Sequence, residues 1–388
     1  MLRRAAERAG RETGPVARAV QGAQLAAAAL VLARLAQGRA RRPPLERGPG
    51  PTAAVEAPAA ATVSVVVPAR DEDARLDPCL AGLMADPDQL EVLVVDDRST
   101  DATAARAAAA GARVISGTEP PPGWTGKAWA LQQGIESAAG DWVLHVDADA
   151  RPVTGLARAM VDAARAHGDD VLSAGPAFRC ATATDLVLHP AFLATLPYRF
   201  GVGDAAGRRP RPARTILNGQ CVLLPRPRFL AAGGYGRVRE HMTEDVAIAR
   251  SLAADGWAVG FVDAAALLEV EMYASARETW SGWGRSIAGA DVNAPGWQAL
   301  DVATLWLTCA LPALRLVTGT TRWPDRVLLA VRWLLATQLA RGYRPRGPWP
   351  YLAPLADPLV AVRFTAAVLR PTRTWRGRRY GARGRANR

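Results

Sequence analysis

Three kinds of hydrophobic run alternate along this chain. The first kind is short, unbroken and rich in β-formers. VSVVVPARDE (Val63 to Glu72), VLVVDDRSTD (Val92 to Asp101) and WVLHVDADARP (Trp142 to Pro152) each stay apolar without alternation and then stop at carboxylates. Strands buried on both faces of a parallel sheet read this way. Ligands of such sheets bind outside the carboxyl ends of the strands, so three strands ending in acids place a carboxylate cluster in one crevice. The second kind has helical texture. Ala102 to Ala110, ended by Gly111, reads as a helix between strands, and HMTEDVAIAR (His241 to Arg250) as a helix capped by Thr243 with Glu244 and Asp245 in its first turn. Acids there also suit the helix dipole alone.

The third kind is longer and almost uncharged. Ala23 to Leu35 is interrupted by Arg34, Val302 to Thr321 by Arg315, and Val327 to Ala340 by Arg332, while Tyr351 to Leu369 carries Asp357, Arg363, Pro354 and Pro358. Crossing a bilayer takes about 20 apolar residues, so the first of these is short for a span. A charged residue at the bilayer centre costs about 2.5–3.5 kcal/mol on insertion scales. The pattern predicts a hairpin of two spans followed by a re-entrant or interfacial segment. Buried amphipathic helices of a soluble C-terminal domain are the alternative.

These shifts divide the chain into an apolar, basic N-terminal helix as candidate membrane anchor (1–42), a Pro/Ala-rich linker (43–61), a catalytic domain (62–293), membrane-associated helices (299–369) and an Arg-rich tail (370–388). The 388 residues suffice for one large α/β domain with appendages. Hydrophobic residues make up 49% and mean hydropathy is zero, too polar for a mostly transmembrane protein and apolar for a fully soluble one. Cys79, Cys180, Cys221 and Cys309 form no CxxC pair, which indicates neither a zinc site nor a disulfide framework. The net charge of +12 is concentrated: the last 19 residues hold eight arginines and no acid. Beside apolar segments such a block suits an anionic cytoplasmic leaflet. No nucleic-acid reader module is recognisable.

The last acidic run ends in Asp147-Ala148-Asp149, whose carboxylates offer hard oxygen ligands to one divalent cation. A lone Asp-x-Asp is more often a solvated turn. In this order and spacing, however, the three motifs resemble the nucleotide-binding half of a family 2 glycosyltransferase, over roughly Thr62 to Ile287. The resemblance implies an α/β, Rossmann-like GT-A fold, a nucleotide-diphospho-sugar donor (UDP favoured) and Mg²⁺ or Mn²⁺. By it, Pro68, Ala69 and Glu72 touch base and ribose, Asp97 accepts the ring N–H of a uracil-like base, and Asp96 is a less certain neighbour. Asp71 stands where many relatives have Asn. Asp149 ligates the metal directly, and Asp147 binds through water or contacts the ribose. Asp245, with Glu244 beside it, matches the catalytic base that takes a proton from an acceptor hydroxyl, inverting the anomer. LNGQCVLLPR (Leu217 to Arg226), with Asn218, Gly219 and Gln220, and Gly233-Gly234 resemble the acceptor-pocket lining.

Lys127, in PPPGWTGKAWAL (Pro120 to Leu131), is the only lysine beside 47 arginines. A compact ammonium differs from a planar guanidinium, and Lys127 reads as a contact to donor phosphate. His145 reads as a packed core residue rather than a ligand. Processive relatives carry Gln-x-x-Arg-Trp where this chain has MYASARETWSGWGRSI (Met272 to Ile287). With GWTGKAWAL and TEDVAIAR, this resembles a non-processive branch including hopanoid-associated and carotenoid glycosyltransferases. Trp280, Trp283 and Arg285 then face a lipid acceptor or the membrane interface, core packing being the alternative for the tryptophans. A membrane location with a cytoplasmic catalytic domain follows, the acceptor being an isoprenoid-type lipid. Another glycolipid or a polyprenyl phosphate, or a non-catalytic nucleotide-sugar-binding scaffold, are the rival readings. A dehydrogenase and a nucleotidyltransferase both want a glycine-rich turn after the first strand, and that turn here is PARDE.

Overall fold

The computed structural model describes residues 14–46, 62–86, 88, 90–207, 210–371, 374–375 and 378–379. Most of the predicted linker and all but a few residues of the Arg-rich tail lie outside them.

The three acid-terminated runs are neighbours in one sheet. β1 (Val63–Ala69), β2 (Glu91–Asp96), β3 (Arg113–Ser116), β4 (Trp142–Val146), β6 (Val171–Gly175), β8 (Cys221–Pro225) and β9 (Val259–Asp263) line up as β3-β2-β1-β4-β8-β6-β9. β1 runs parallel to both β2 and β4, and β8 alone runs against its neighbours. Register fixes the acids at one edge: Ala69 pairs with Asp96, and Val66 with His145. Val65, Val66, Val67, Leu93, Val94, Val95, Val143 and Leu144 are fully buried, each contributing about 1.5–3 kcal/mol of apolar burial. This is why the runs do not alternate. β5 (Ala150–Pro152), β7 (Ala177–Arg179), β10 (Leu268–Val270) and β11 (Tyr343–Arg344) form a second, four-stranded sheet.

Helices cover the main sheet. The Ala-rich helix is Thr103–Ala109, ended by Gly111 at φ +88°. The helix Gly126–Ser137 packs close because Gly134 faces Val66 and Val95, whose methyl groups lie 2.4 and 2.9 Å from where a Cβ would sit. That approach brings Lys127, in its first turn, to the sheet's acidic edge. Asp71, at φ +51°, accepts hydrogen bonds from Thr100 N (2.8 Å) and Oγ1 (3.2 Å). It ties the loop after β1 to the loop after β2, a role for its acceptor oxygen.

The apolar segments gather into one bundle. The N-terminal helix Pro15–Ala36 begins well before the apolar run Ala23 to Leu35, and polar residues inside that run bond far along the chain. Gln24 Nε2 donates to Asp325 Oδ1 (2.7 Å) and Leu307 O (3.2 Å), and Arg34 Nη1 to Tyr198 O (2.7 Å). Helix Pro295–Leu305 continues through a π-turn (Trp306–Ala310) into Leu311–Val317, a turn follows, and Trp323–Ala340 returns. Both feet of this hairpin stand on the catalytic domain: Arg250 bonds Asn293, and Tyr343 pairs with Phe178. The last segment is a 3₁₀ stretch, Trp349–Ala356, running into the helix Asp357–Leu369. Pro15–Arg39, Pro295–Val317 and Trp349–Leu369 are long and apolar enough to cross a membrane by length and composition. This set differs from the predicted one. Trp323–Ala340 drops out, holding Asp325, Arg326 and Arg332 within 18 residues, while the expected interfacial segment and the N-terminal helix enter.

Candidate active site

Lys127 sits where the strand-end acids meet the helix Glu244–Ala254. Its Nζ lies 2.8 Å from Asp147 Oδ1, 3.0 Å from Asp147 Oδ2, 3.2 Å from Glu244 Oε1 and 3.5 Å from Gly219 O. Burial works against the ammonium, but Asp147 and Glu244 together raise its pKa well above the ordinary lysine value. Lys127, the expected phosphate contact, is held by two carboxylates. Burial likewise opposes ionisation of Asp147, yet Lys127 and His145 hold it at about 2. His145 is fully buried, its Nε2 3.0 Å from Asp147 Oδ1, and burial lowers its pKa. It is a core residue that orients Asp147.

Asp149 has a different environment. Its Oδ1 is buried without a hydrogen-bond partner. Burial, then the charges of Asp147 and Glu72, push its pKa up to about 7. A buried carboxylate oxygen with no donor is costly, and a divalent cation removes the cost. Among the described residues no three His, Cys, Asp or Glu side chains form a ready-made metal cage. The unpartnered Asp149 oxygen fits a Mg²⁺-like ion, which is bound through one or two carboxylates plus substrate phosphates.

Asp245 is half-buried. Its Oδ2 accepts from Gly219 N (3.1 Å) and its Oδ1 from Val246 N (2.8 Å). Gly219 has to be glycine here, since a Cβ would lie 2.9 Å from both Asp245 Cβ and Oδ2. Burial raises the pKa of Asp245 against the opposing pull of Lys127. Burial also raises that of Glu244, with Asp245 and Asp147 adding and Lys127 opposing. Thr243 stands at the N-cap position without a side-chain cap bond. Its hydroxyl donates to Asp291 Oδ1 at 2.7 Å instead.

The remaining expected site residues separate into two groups. Pro68 and Ala69 end β1, and Asp96 ends β2 beside them. Glu72 and Asp97 are nearly buried at the same edge, Glu72 paired with Arg75 (3.0 Å) and Asp97 Oδ2 3.6 Å from Arg70 Nη1. On the other side, Asn218 is bound to backbone, its Nδ2 donating to Ala174 O (2.9 Å), and Gln220 O accepts Asp147 N (3.0 Å). Trp283 is buried against Phe192 (ring centroids 5.8 Å, stacked) and His189 (5.3 Å), which is core packing. Trp280 is half-buried beside Phe192 and Arg285 is exposed. Tyr273 was not singled out by sequence. It lies against Gly282, whose Cβ would meet its ring at 2.3 Å, and close enough to Asp149 and Arg285 for both charges to act on its pKa.

The model of the family described as Glycosyl transferase family 2 matches residues 64–213. The 4,4'-diaponeurosporenoate glycosyltransferase of Staphylococcus aureus strain USA300 is 22% identical over 338 residues, covering 82% of this chain and 88% of that protein. Its counterpart in strain MRSA252 is 23% identical over the same span. Among solved structures, the mannosyltransferase PcManGT from Pyrobaculum calidifontis, in complex with GDP-Man and Mn²⁺, shares the fold. The TM-score is 0.53 at 19% identity, over 91% of this chain and 97% of that one.

Proposed function

We propose, from the match of the Glycosyl transferase family 2 model to residues 64–213, an inverting, non-processive, metal-dependent transfer of one sugar from a nucleotide-diphospho-sugar to an isoprenoid-type lipid at the cytoplasmic membrane face. One observation carries the reading. Lys127 engages one acid of each motif, Asp147 and Glu244. Asp149, with its unpartnered oxygen, is left for the donor side, and Asp245 for the acceptor side.

Asp149, with Asp147 behind it, would hold the divalent ion, which supplies Lewis-acid stabilisation of the leaving diphosphate. Loops after β1 and β2 bind the nucleoside, Asp97 accepting a ring N–H from the base. UDP is the favoured donor, and guanine also presents such an N–H. Asp245 takes the proton from the acceptor hydroxyl as its oxygen attacks the anomeric carbon opposite the departing diphosphate. A carboxylate whose pKa burial has raised is a stronger base than an exposed one, and its oxygens are aimed by Gly219 N and Val246 N.

The lipid reading rests on where apolar surface is left uncovered. Apart from Met84, every exposed large hydrophobic side chain among the described residues lies on the bundle helices, from Val16 and Leu25 through Val317 and Trp323 to Leu359 and Leu369. Apolar surface concentrated on one part of a molecule marks a membrane or partner. The S. aureus relatives are named for a carotenoid-type acceptor, which favours the same substrate class here. The test is to incubate purified enzyme with Mn²⁺, UDP- or GDP-sugars and lipid extract. A glycosylated lipid is the expected product. Donor binding without turnover supports a nucleotide-sugar-binding scaffold instead.

A further inference from the structure

We propose that Asp291 is a positioning residue for the candidate base, acting through the first turn of the helix that carries Glu244 and Asp245. The proposal rests on the glycosyltransfer reading above.

That helix begins without help from its own N-cap side chain. Four N–H groups at a helix start lack intrahelical partners, and here a residue 48 positions downstream lies against the entry. Asp291 Oδ2 accepts from Met242 N (2.9 Å) and Thr243 N (3.2 Å), and its Oδ1 accepts from Thr243 Oγ1 (2.7 Å). His241 Nδ1 is 3.5 Å from Oδ2. These bonds, led by those from His241 and Thr243, hold Asp291 at about 2 despite burial, so it is a charged acceptor throughout the working range. Every contact falls on the three residues before Glu244.

Asp291 is itself held. It lies in a tight turn where Gly289, at φ +50°, accepts from Val292 N (3.0 Å) and Asn293 N (2.8 Å). The acid helix grips the same turn a second time. Arg250 donates to Val292 O (2.6 Å) and Asn293 Oδ1 (2.9 Å). Two clamps on one helix, about two turns apart, fix its axial position and rotation. They thereby fix the distance from Asp245 to the donor edge. The turn leads directly into the apolar helix Pro295–Leu305, so the seating of the bundle also sets the placement of the base.

Displacing a catalytic group by about 1 Å can cost about a hundredfold. Asp291→Ala is expected to lower kcat by about 10- to 100-fold, counted per donor-binding site, with donor Kd unchanged. Counting per site removes any loss from unfolded protein. Thr243→Val, which deletes one of the four contacts, should show a smaller loss in the same parameter, and Thr243→Ser should restore it. In the Asp245→Asn background, Asp291→Ala should add nothing further.

The failures are distinguishable. If Asp245→Asn transfers sugar at the wild-type rate, the base reading falls and the positioning proposal with it. If Asp245→Asn is impaired but Asp291→Ala leaves kcat per site unchanged, weakens donor binding in parallel, or adds fully to Asp245→Asn, the positioning proposal alone is wrong.

Discussion

Lys127 reaches Glu244 across the mouth of the sheet: Nζ to Oε1 is 3.2 Å, while the same nitrogen is 2.8 Å from Asp147 Oδ1. One ammonium thus joins the strand-end acids to the acid helix. Removing it leaves two carboxylates without their common cation. Breaking a fully buried ion pair from one side typically costs about 3–5 kcal/mol, and less where, as here, Lys127 and Asp147 are half-buried. Lys127→Met should therefore lower thermal stability even without substrate. A variant of wild-type stability that binds donor poorly would instead make Lys127 a plain phosphate contact, as its sequence context first suggests.

Asp149 carries a pH signature. Its pKa is about 7 in the metal-free fold, against an ordinary value of 3.8. The folded state then holds a proton that the unfolded chain has lost. Stability of the metal-free protein should rise as pH falls from about 7 toward about 4, and flatten below. Asp149→Asn should abolish that part of the dependence and remove most turnover, while remaining folded. Equal melting curves against pH for the two proteins would refute the assignment of a high pKa. Near wild-type turnover with Mg²⁺ or Mn²⁺ would refute the metal role.

Gly219 tests the placement of the base from the opposite side. A methyl group there would meet Asp245 Cβ and Oδ2 at 2.9 Å. Gly219→Ala should reduce transfer by about tenfold or more through misplacement, with nucleotide affinity retained. Unchanged transfer would mean that Asp245 tolerates a shift and does not act at a fixed position.

Much of this was legible in the chain, for physical reasons. Buried parallel strands need unbroken apolar runs, so β1, β2 and β4 announced themselves, and the acids that end them fell together because the strands are adjacent and in register. Contacts between residues distant in sequence were not legible. The Thr243 hydroxyl is taken by Asp291, 48 residues on. Gln24 finds Asp325, 301 residues on, a partner that nothing near it in sequence announces. In sequence, Trp283 suits an acceptor or membrane face and the core equally. Burial against Phe192 and His189 makes it core. Asp71 has only acceptor oxygens to offer, and the fold uses one of them for Thr100.

The bundle's exposed apolar residues lead to a fractionation test. Spanning helices should keep the protein in the membrane pellet through washes at high salt and alkaline pH. Complete release into the supernatant would reject spanning. Leu314→Glu with Val317→Glu, on an exposed stretch of the hairpin, should weaken retention without altering donor affinity.

The most direct measurement compares wild type with Asp245→Asn in one reaction containing Mn²⁺, a UDP- or GDP-sugar and membrane lipids, following both nucleotide release and lipid mass. The wild type should release nucleoside diphosphate in step with a lipid gaining one sugar. Asp245→Asn should bind donor as tightly and transfer about 10²–10⁴-fold more slowly, the range for losing general-base catalysis. Wild-type protein that binds donor yet forms no glycosylated lipid, or an Asp245→Asn variant that transfers sugar at the wild-type rate, would contradict the assignment.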